Sequence, residues 1–361
     1  MEKESIFNFE REALCSALNE SLDASNYRGT QVFEALYKNL KSNLDDVSNI
    51  PKDIKEHLKT NYDTSLLKIL SKKTSSDGSI KYLFKLPSGP KIETVLIKQE
   101  KRMTLCVSSQ YGCGMGCTFC MTGTMGFLGN LTTAEIILQV LTVMHDTEEF
   151  RTSFSNIVFM GMGEPLHNYK AVTAALRILL DPKGLAFPPR RITISSVGLV
   201  PAIKRFSNEG INVNLAISLN ASDNDTRNKI MPINKNFPIE VLIDTIKGFP
   251  LQGRKKVTIE YVMLSGVNDT KDDLLRLKKI IEPIRAKVNL IPYNENTGLG
   301  FKSPNKSWIN HWSNELNRAG FSTTVRWSKG KDIDAACGQL SVKALKKQKQ
   351  EQKLKVLEDI T

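Results

Sequence analysis

Cys113-Gly114-Met115-Gly116-Cys117-Thr118-Phe119-Cys120 places three cysteines within eight residues, in the spacing C-x3-C-x2-C. Three thiolates so close together can bind three irons of a [4Fe–4S] cluster and leave the fourth iron without a protein ligand. The spacing differs from the C-x2-C-x2-C run of ferredoxins and from the C-x2-C pairs of zinc fingers. A structural zinc ion would need a fourth ligand, and no His or Cys directly flanks the run. The motif therefore predicts a cluster whose open iron can bind a substrate or cofactor.

The sequence around this motif alternates between strands and helices. From residue 103 onward, apolar segments of strand length are followed by segments with helical periodicity. We predict strands at 104–108, 156–160, 191–195, 213–218, 257–264 and 288–291, with a further strand at 323–327. We predict helices near 133–144, 169–180, 199–208, 239–247, 271–284 and 306–318. Six βα units at this spacing predict an α/β fold with a parallel sheet that curls into an incomplete barrel.

Composition and charge divide the chain into three predicted parts. Residues 1–90 show short amphipathic helices and then a short β extension, which predicts a small, mostly helical domain. Residues 91–340 contain the barrel and a C-terminal loop, and residues 341–361 form a basic tail. These parts carry 13, 31 and 6 basic side chains against 13, 22 and 3 acidic ones. The positive charge therefore lies on the barrel and the tail rather than on the first domain.

The overall properties are those of a globular protein with a polyanionic partner. The net charge is +12, which favours an anionic partner such as a nucleic acid. No run of 18 apolar residues is present, so we expect no membrane span. The first residues lack the basic and apolar regions of a signal peptide, and six cysteines, half of them in one motif, suit a reducing compartment. We therefore expect a cytoplasmic protein.

Polar and glycine residues follow most of the predicted barrel strands. The cysteine motif follows the first strand, and Gly161-Met162-Gly163-Glu164-Pro165 follows the second. Ser195 ends the third strand, Ser218-Leu219-Asn220 ends the fourth, and Asn294 follows the sixth. Each of these alone is an ordinary turn or cap. Because the carboxyl ends of parallel strands meet at one edge, together they predict a single ligand site.

Four segments resemble the radical S-adenosylmethionine (SAM) RNA methyltransferases of the RlmN/Cfr family. They are Leu105-Cys106-Val107-Ser108-Ser109-Gln110, Met160-Gly161-Met162-Gly163-Glu164-Pro165, Met231-Pro232-Ile233-Asn234 and Asp332-Ile333-Asp334-Ala335-Ala336-Cys337-Gly338-Gln339-Leu340. The resemblance runs over nearly the whole chain. It implies an incomplete (β/α)6 TIM-like radical-SAM barrel behind a small N-terminal domain that docks RNA. It also implies a [4Fe–4S] cluster and two SAM molecules per turnover.

The resemblance assigns the cofactor contacts. Cys113, Cys117 and Cys120 would ligate the cluster, and SAM would bind the open iron through its amino and carboxylate groups. The SAM contacts implied by position are Gly163, Glu164, Ser195, Ser218, Leu219, Asn220 and Asn294. A carboxylate at Glu164 suits the SAM ammonium group. The family commonly has His at the position of Asn220; Asn can hydrogen-bond a ribose but cannot titrate, which puts a proton-transfer role there in doubt.

The resemblance also assigns three catalytic residues. An aromatic carbon of adenine is a poor nucleophile toward a SAM methyl group, whereas a cysteine thiolate is a good one. One SAM would methylate Cys337, and a second would yield the radical that activates this methyl group for addition to adenine. Cys106 would then attack the sulfur of Cys337 and release the product as a disulfide forms. Glu93 matches the family's proton acceptor.

Two features of the sequence bear on the role of Cys337. Gly330 and Gly338 flank its segment, so we expect a loop that can swing. Arg326, Lys329 and Lys331 lie nearby, and we expect them to favour a thiolate.

The resemblance leaves three functions open. The first is methylation of carbon 2 of adenosine in 23S rRNA at the peptidyl-transferase centre, with tRNA beside the anticodon as a candidate second substrate. The Gly-Glu-Pro form at Glu164-Pro165 favours this branch over the second, a carbon-8 methyltransferase of the antibiotic-resistance type. The third is an iron–sulfur RNA-binding factor without turnover. For an enzyme we expect a monomer that receives electrons from a donor such as a flavodoxin and its reductase.

Overall fold

A computed structural model of the protein describes residues 3–41, 43–100, 102–152, 156–296 and 298–340. The predicted basic tail at 341–361 lies outside this range. The first part of the chain is a layer of short helices closed by one pair of two-residue strands, which join its two ends in parallel. These elements are β1 (Glu4–Ser5), α1 (Arg11–Leu22), α2 (Asn26–Phe33), α3 (Lys52–Asn61) and β2 (Tyr62–Asp63).

An antiparallel meander follows and joins the main sheet. It comprises β3 (Lys68–Thr74), β4 (Ile80–Lys85), β5 (Lys91–Gln99) and β6 (Arg102–Cys106). Strands β3 and β4 fall within the predicted first domain, yet they extend the same ten-stranded sheet as the barrel. The domain boundary at residue 90 stays a prediction.

The barrel itself is a parallel sheet with helices on its outside. Its strands after β6 are β9 (Asn156–Phe159), β10 (Ile192–Ser196), β11 (Asn214–Ser218), β12 (Val257–Met263), β13 (Ala286–Pro292) and β14 (Thr323–Val325). A separate hairpin, β7 (Gln110–Cys113) and β8 (Gly126–Asn130), carries the cysteine motif. The helices are α4 (Thr133–Asp146), α5 (Glu148–Thr152), α6 (Tyr169–Leu180), α7 (Val200–Phe206), α8 (Asn224–Ile230), α9 (Ile239–Lys247), α10 (Lys271–Ile281) and α11 (Lys306–Arg318).

The strand order confirms the predicted incomplete (β/α)6 barrel. Neighbouring strands run β14-β13-β12-β11-β10-β9-β6-β5-β4-β3, so β14 and β3 are the two edges of the sheet. Every pairing from β6 to β14 is parallel, as crossover helices require. Within the described residues, no helix is long and apolar enough to cross a membrane.

The first barrel strand ends two residues earlier than predicted, at Cys106 rather than at residue 108. The side chain of Gln139 on α4 replaces a strand partner at this point. Its Oε1 accepts from the Ser108 backbone N–H at 2.8 Å, and its Nε2 donates to the Ser108 carbonyl at 2.9 Å. Because a buried side chain satisfies both backbone groups of Ser108, the chain can leave the sheet without an unpaired polar group.

Helix α4 connects the first layer to the barrel. Its predicted capping box is present: Thr132 Oγ1 accepts from the Glu135 N–H, and Glu135 Oε2 accepts from the Thr132 N–H. Asn8 caps the next free donor, the Ala134 N–H, at 2.9 Å. The N-terminal layer is therefore tied to the barrel through the exposed donors of one helix end.

We expect Thr132→Ala to lower the free energy of unfolding by about 0.5–2 kcal/mol, because the first turn of α4 loses a side-chain acceptor. Urea unfolding followed by circular dichroism measures this change. Thr245→Ala is the matched control, since Thr245 lies inside α9 and its hydroxyl donates only to Val241 of its own helix. A midpoint for Thr132→Ala equal to that of the control would contradict a capping contribution.

Candidate active site

The polar residues at the carboxyl ends of the strands line one cavity of about 990 Å³, counted with its open mouth. The predicted residues that it brings together are Cys117, Cys120, Gly163, Glu164, Ser195, Ser218, Asn220, Asn294 and Cys337. They come from six separate segments of the chain. The cavity has the size typical of small-molecule sites and combines apolar walls with a few polar groups.

The cysteine motif forms a buried loop at the floor of this cavity. Cys113 and Cys117 are buried and Cys120 is partly exposed. Burial raises the pKa of the Cys113 thiol to about 12, and it raises the pKa of Cys117 and of Cys120 as well. Free thiolates are therefore unfavourable here unless a cation binds them.

The arrangement of these thiols fits a cluster better than a single ion. In the described part of the chain, no three Cys, His, Asp or Glu side chains converge on the position of one metal ion. One zinc ion would require sulfurs within roughly 4.6 Å of each other, twice the Zn–S distance. In a [4Fe–4S] cluster each thiolate binds a different iron, so the three sulfurs stand farther apart.

Glu164 lies on the cavity wall with its carboxylate held by backbone donors. Its Oε2 accepts from the Val197 N–H at 2.9 Å, and its Oε1 accepts from the Leu166 N–H at 3.2 Å. Burial raises the pKa of Glu164 to about 7, an effect that these hydrogen bonds oppose. The Glu164 carboxylate is thus buried and oriented by backbone donors, and within the described part of the chain it forms no ion pair. Such a carboxylate is suited to receive the ammonium group of SAM.

Gly163 allows this carboxylate to come close to the cysteine hairpin. Its φ is +99°, and a Cβ there would lie 2.5 Å from Cβ of Gln110. Gln110 in turn accepts the Glu164 N–H through Oε1 at 2.9 Å. Any side chain at position 163 would separate Glu164 from the cluster loop.

Arg227 supports the cavity from below, and the sequence analysis did not identify it. Its side chain is fully buried (0 % exposed) on α8, and burial lowers the pKa of its guanidinium to about 10. Its donors reach the carbonyls of Val197, Ser218 and Leu219 and the side chain of Asn234, at 2.8–3.2 Å. The segment Met231–Asn234 thus contacts this arginine through Asn234, while Met231 lines the cavity.

Leu219 and Asn220 have structural partners of their own. The Leu219 side chain is buried in the hydrophobic core, and its backbone groups pair with Glu260 and Arg227. Asn220 has a φ of +54°, a conformation that Asn tolerates better than most residues. Its Oδ1 accepts from the Val262 N–H at 2.8 Å, so the amide braces β12 as it faces the cavity.

Asn294 offers an open acceptor. Its Oδ1 is buried and has no hydrogen-bond partner among the described residues, while its Nδ2 donates to the carbonyl of Cys337 at 3.1 Å. An unpaired buried carbonyl oxygen costs free energy unless a ligand donor fills it. Asn294 therefore connects the predicted SAM position with the Cys337 loop.

The Cys337 loop is held on both sides, whereas the flanking glycines suggested a loop that swings. Before Cys337, Asp77 accepts from the Gly330 N–H, Asp332 accepts from Ser75 and Ser76, and Lys81 donates to the Asp334 carbonyl. After it, the Gly338 carbonyl accepts from the Met121 N–H of the cysteine motif at 3.0 Å. A swing would have to break all these contacts.

Cys106 and Cys337 lie close enough to influence each other's ionisation. Cys106 is buried, whereas Cys337 is reached by solvent through the cavity. Burial raises the pKa of Cys106 to about 12, the charge of Cys337 adds to this effect, and Arg326 opposes it. Burial also raises the pKa of Cys337 and again Arg326 opposes it. Arg326 therefore favours the thiolate of Cys337, as we expected of it, while the net shift of the Cys337 pKa is upward.

Arg326 and Glu260 are the charged residues that interact with Cys106 and Cys337. Arg326 follows β14 and donates through Nη1 to the Met160 sulfur across the barrel at 3.3 Å. Burial lowers the pKa of Arg326, but the charges of Glu260, Cys337 and Cys106 outweigh it and the net shift is upward. Glu260 was not predicted, although a lone carboxylate within the apolar strand 257–263 is a signal that could have identified it.

Glu93 lies on β5, diagonally across the sheet from Cys106 on β6. It is buried, and Lys81 Nζ lies 3.4 Å from its Oε1. Val95 pairs with Cys106, so Glu93 points to the same face as Cys106 with their Cβ atoms roughly 7 Å apart. Lys81, which sequence reasoning missed, joins this carboxylate to the Cys337 loop through the Asp334 carbonyl.

Known proteins share both the sequence and this architecture. The sequence model of the Radical SAM superfamily matches residues 107–277. "Dual-specificity RNA methyltransferase RlmN" of Geobacter sulfurreducens is 46 % identical over 317 residues, which cover 88 % of this chain and 86 % of the relative. The protein of the same name from Geotalea uraniireducens is 45 % identical over 340 residues, covering 94 % and 97 %. The chain belongs to the RlmN family of radical SAM RNA methyltransferases.

A solved structure agrees with this assignment. The crystal structure of a radical SAM methyltransferase from Sphaerobacter thermophilus superposes with a TM-score of 0.88 at 38 % identity, covering 93 % of this chain and 99 % of that one. Membership of the family means that the enzyme uses a [4Fe–4S] cluster and SAM. The predicted family and cofactors are thereby confirmed.

We expect Glu164→Gln to weaken SAM binding about 10- to 100-fold, because a charge-assisted hydrogen bond to the ammonium group becomes a neutral one. Isothermal titration calorimetry on the anaerobically reconstituted protein measures this affinity. Glu12→Gln, on the exposed face of α1, is the matched control. Iron and sulfide content must equal that of the wild type; unchanged SAM affinity at equal content would exclude the assigned role.

Proposed function

We propose that this enzyme methylates carbon 2 of adenosine in 23S rRNA at the peptidyl-transferase centre, and an adenosine beside the anticodon of tRNA. The observation that carries the proposal is the position of Cys337. It lies in the same cavity as the SAM-binding candidates, next to Cys106 and Arg326. The relatives named above are described as dual-specificity RNA methyltransferases, which supports two RNA substrates.

Cys337 is the methyl acceptor in this proposal. Its sulfur forms a bond to the SAM methyl carbon as the S–CH3 bond of SAM breaks, and the thiol proton leaves. Arg326 favours the required thiolate, although burial makes it scarce in the resting site. When bound, the cluster and a second SAM supply the one-electron chemistry: removal of a hydrogen atom from the new methyl group and uptake of the odd electron after carbon–carbon bond formation.

Glu93 and Cys106 finish the reaction. Glu93 accepts the proton that leaves carbon 2 of adenine, and Lys81 Nζ lies 3.4 Å from its Oε1. Cys106 attacks the sulfur of Cys337; the bond between this sulfur and the transferred carbon breaks, and its electron pair, with a proton, completes the methyl group. The resulting Cys106–Cys337 disulfide needs two electrons from an external thiol before the next turnover.

The remaining assignments belong to the same proposal. The electron donor is a flavodoxin with its reductase, the enzyme is a monomer, and it acts in the cytoplasm. The six cysteines, all of them free in the structure, are consistent with a reducing compartment.

The position of the new methyl group tests the proposal directly. Anaerobically reconstituted enzyme, SAM and a 23S rRNA hairpin fragment should yield 2-methyladenosine, identified by mass spectrometry against synthetic standards. A tRNA anticodon stem-loop tests the second substrate in the same assay. Exclusive 8-methyladenosine would assign the enzyme to the carbon-8 branch, and full function after Cys337→Ala would favour an RNA-binding factor without turnover.

We expect Cys106→Ala to trap a covalent enzyme–RNA adduct, because the bond to Cys337 forms but is not broken. Denaturing gel electrophoresis with labelled RNA should show at least a tenfold rise in slow-migrating product. Cys15→Ala is the control, since Cys15 lies on α1 and donates to the Asn26 carbonyl away from the cavity. Free methylated RNA without adduct from Cys106→Ala would rule out the resolving role.

A further inference from the structure

A second cavity meets Cys337 from the other side. It encloses about 1130 Å³ with its mouth and shares Met160, Glu260, Arg326 and Cys337 with the first cavity. Its remaining walls include residues from the N-terminal halves of the barrel strands, such as Asn214 at the start of β11. With SAM placed at Glu164 and Asn294 in the first cavity, the second cavity is a separate approach to the sulfur of Cys337.

The mouth of this second cavity is basic. Five of its lining residues are cationic, namely Arg190, Arg191, Lys287, Arg326 and Lys329. Glu260 is the one carboxylate among the lining residues described, and it is buried deep at the junction with the first cavity. Arg190, Lys287 and Lys329 are exposed to solvent. A ring of exposed cations around an opening attracts a polyanion.

Trp327 lies at the same mouth with its ring available. It is 44 % exposed, and Lys306 Nζ lies 5.7 Å from the ring centroid. A single exposed aromatic residue is common on protein surfaces. An exposed indole that lines the same cavity as three exposed cations is instead the combination that binds single-stranded nucleic acid by stacking and phosphate contact.

The interior of the cavity is polar rather than apolar. Amide and hydroxyl side chains face it from successive strands, namely Thr104, Asn156, Thr193, Asn214, Thr258 and Asn289. Two of them form a hydrogen bond with each other, from Asn156 Nδ2 to Thr104 Oγ1 at 3.3 Å. Such walls suit the hydrogen-bonding edge of a base and the ribose hydroxyls of RNA.

We propose that substrate RNA enters through this opening, which we call the Trp327 mouth (Arg190, Lys287, Trp327 and Lys329). An unpaired base next to the target stacks on Trp327, phosphates contact the three cations, and the target adenosine reaches Cys337 from the second cavity. This inference rests on the proposed RNA methylation, and it names the surface that receives the RNA. Because residues 1–90 carry no net positive charge, the Trp327 mouth provides the electrostatic attraction that this part of the chain lacks.

Binding of a fluorescein-labelled rRNA hairpin, followed by anisotropy with cluster-loaded enzyme, tests this surface. Trp327→Ala should raise Kd about 5- to 100-fold, and Trp327→Phe should restore most of the affinity because it keeps a stacking ring. Tyr27→Ala is the matched control, since Tyr27 is an exposed aromatic residue (65 %) beside Arg28 in the N-terminal layer. Weakened binding by Tyr27→Ala with wild-type binding by Trp327→Ala would place the RNA on that layer and overturn the proposal.

Charge removal gives a second measurement. The triple variant Arg190→Gln, Lys287→Gln, Lys329→Gln should lower the slope of log Kd against log salt by about 2, as expected for three single-strand phosphate contacts. Lys204→Gln, Lys247→Gln, Lys279→Gln removes the same charge from exposed positions on the outer helices and should leave the slope unchanged. Equal slopes for the two triple variants would overturn the proposal.

Two further readouts separate this inference from the proposed function. Methylation of Cys337 by SAM without RNA, seen by peptide mass spectrometry, should be unaffected in Trp327→Ala, which also shows that the variant is folded. If RNA binding depends on the mouth but no 2-methyladenosine forms, the surface stands and the proposed reaction fails. If the mouth variants slow only reduction of the Cys106–Cys337 disulfide by an anionic thiol such as glutathione, the opening admits a reductant and the proposal is wrong.

Discussion

The buried guanidinium of Arg227 holds together the parts of the molecule that form the SAM cavity. It donates to carbonyls at the ends of β10 and β11 and to Asn234, groups that would otherwise be buried without a donor. The same region supports the cysteine motif, because the Thr118 N–H donates to the Ile230 carbonyl at 3.0 Å. The Arg227 side chain thus fixes two strand ends, and Ile230 of the same helix, α8, holds the loop of the cysteine motif. Loss of a partner there would leave a buried charge or several unpaired carbonyls.

Burial raises the pKa of both Cys106 and Cys337, which opposes formation of their thiolates. The thiolate is the nucleophilic form of cysteine. Arg326 supplies the opposing charge, and Glu260 raises the pKa of this arginine in return. Cys337, Arg326 and Glu260 lie at the junction of the two cavities. By our proposals, SAM reaches this junction from one side and RNA from the other. Ligands that exclude water from this junction would strengthen every interaction within it.

The Cys337 loop is bound to the antiparallel part of the sheet through several hydrogen bonds. Lys81 pairs with Glu93 and also donates to the Asp334 carbonyl, so Glu93 and the Cys337 loop share one cation. Asn294 and the Gly338 carbonyl tie the same loop to the SAM position and to the cysteine motif. The β3–β4 turn and strand β4 therefore do more than extend the sheet, because Asp77 and Lys81 bind the backbone of the Cys337 loop.

The sequence alone determined the fold class, the cluster motif and the candidate residues around the cavity. These follow from local rules: thiolate spacing, strand and helix periodicity, and the convergence of parallel strand ends. Tertiary structure decided what depends on environment. Arg227 lies in the polar segment 224–229, which carries no sign of burial, and Leu219 faces the core while its neighbour Asn220 faces the cavity. The net direction of the Cys337 pKa shift could not be predicted from the nearby basic residues. The distances between Cys337 and the charged groups, and its loss of hydration, are fixed only when distant segments pack together.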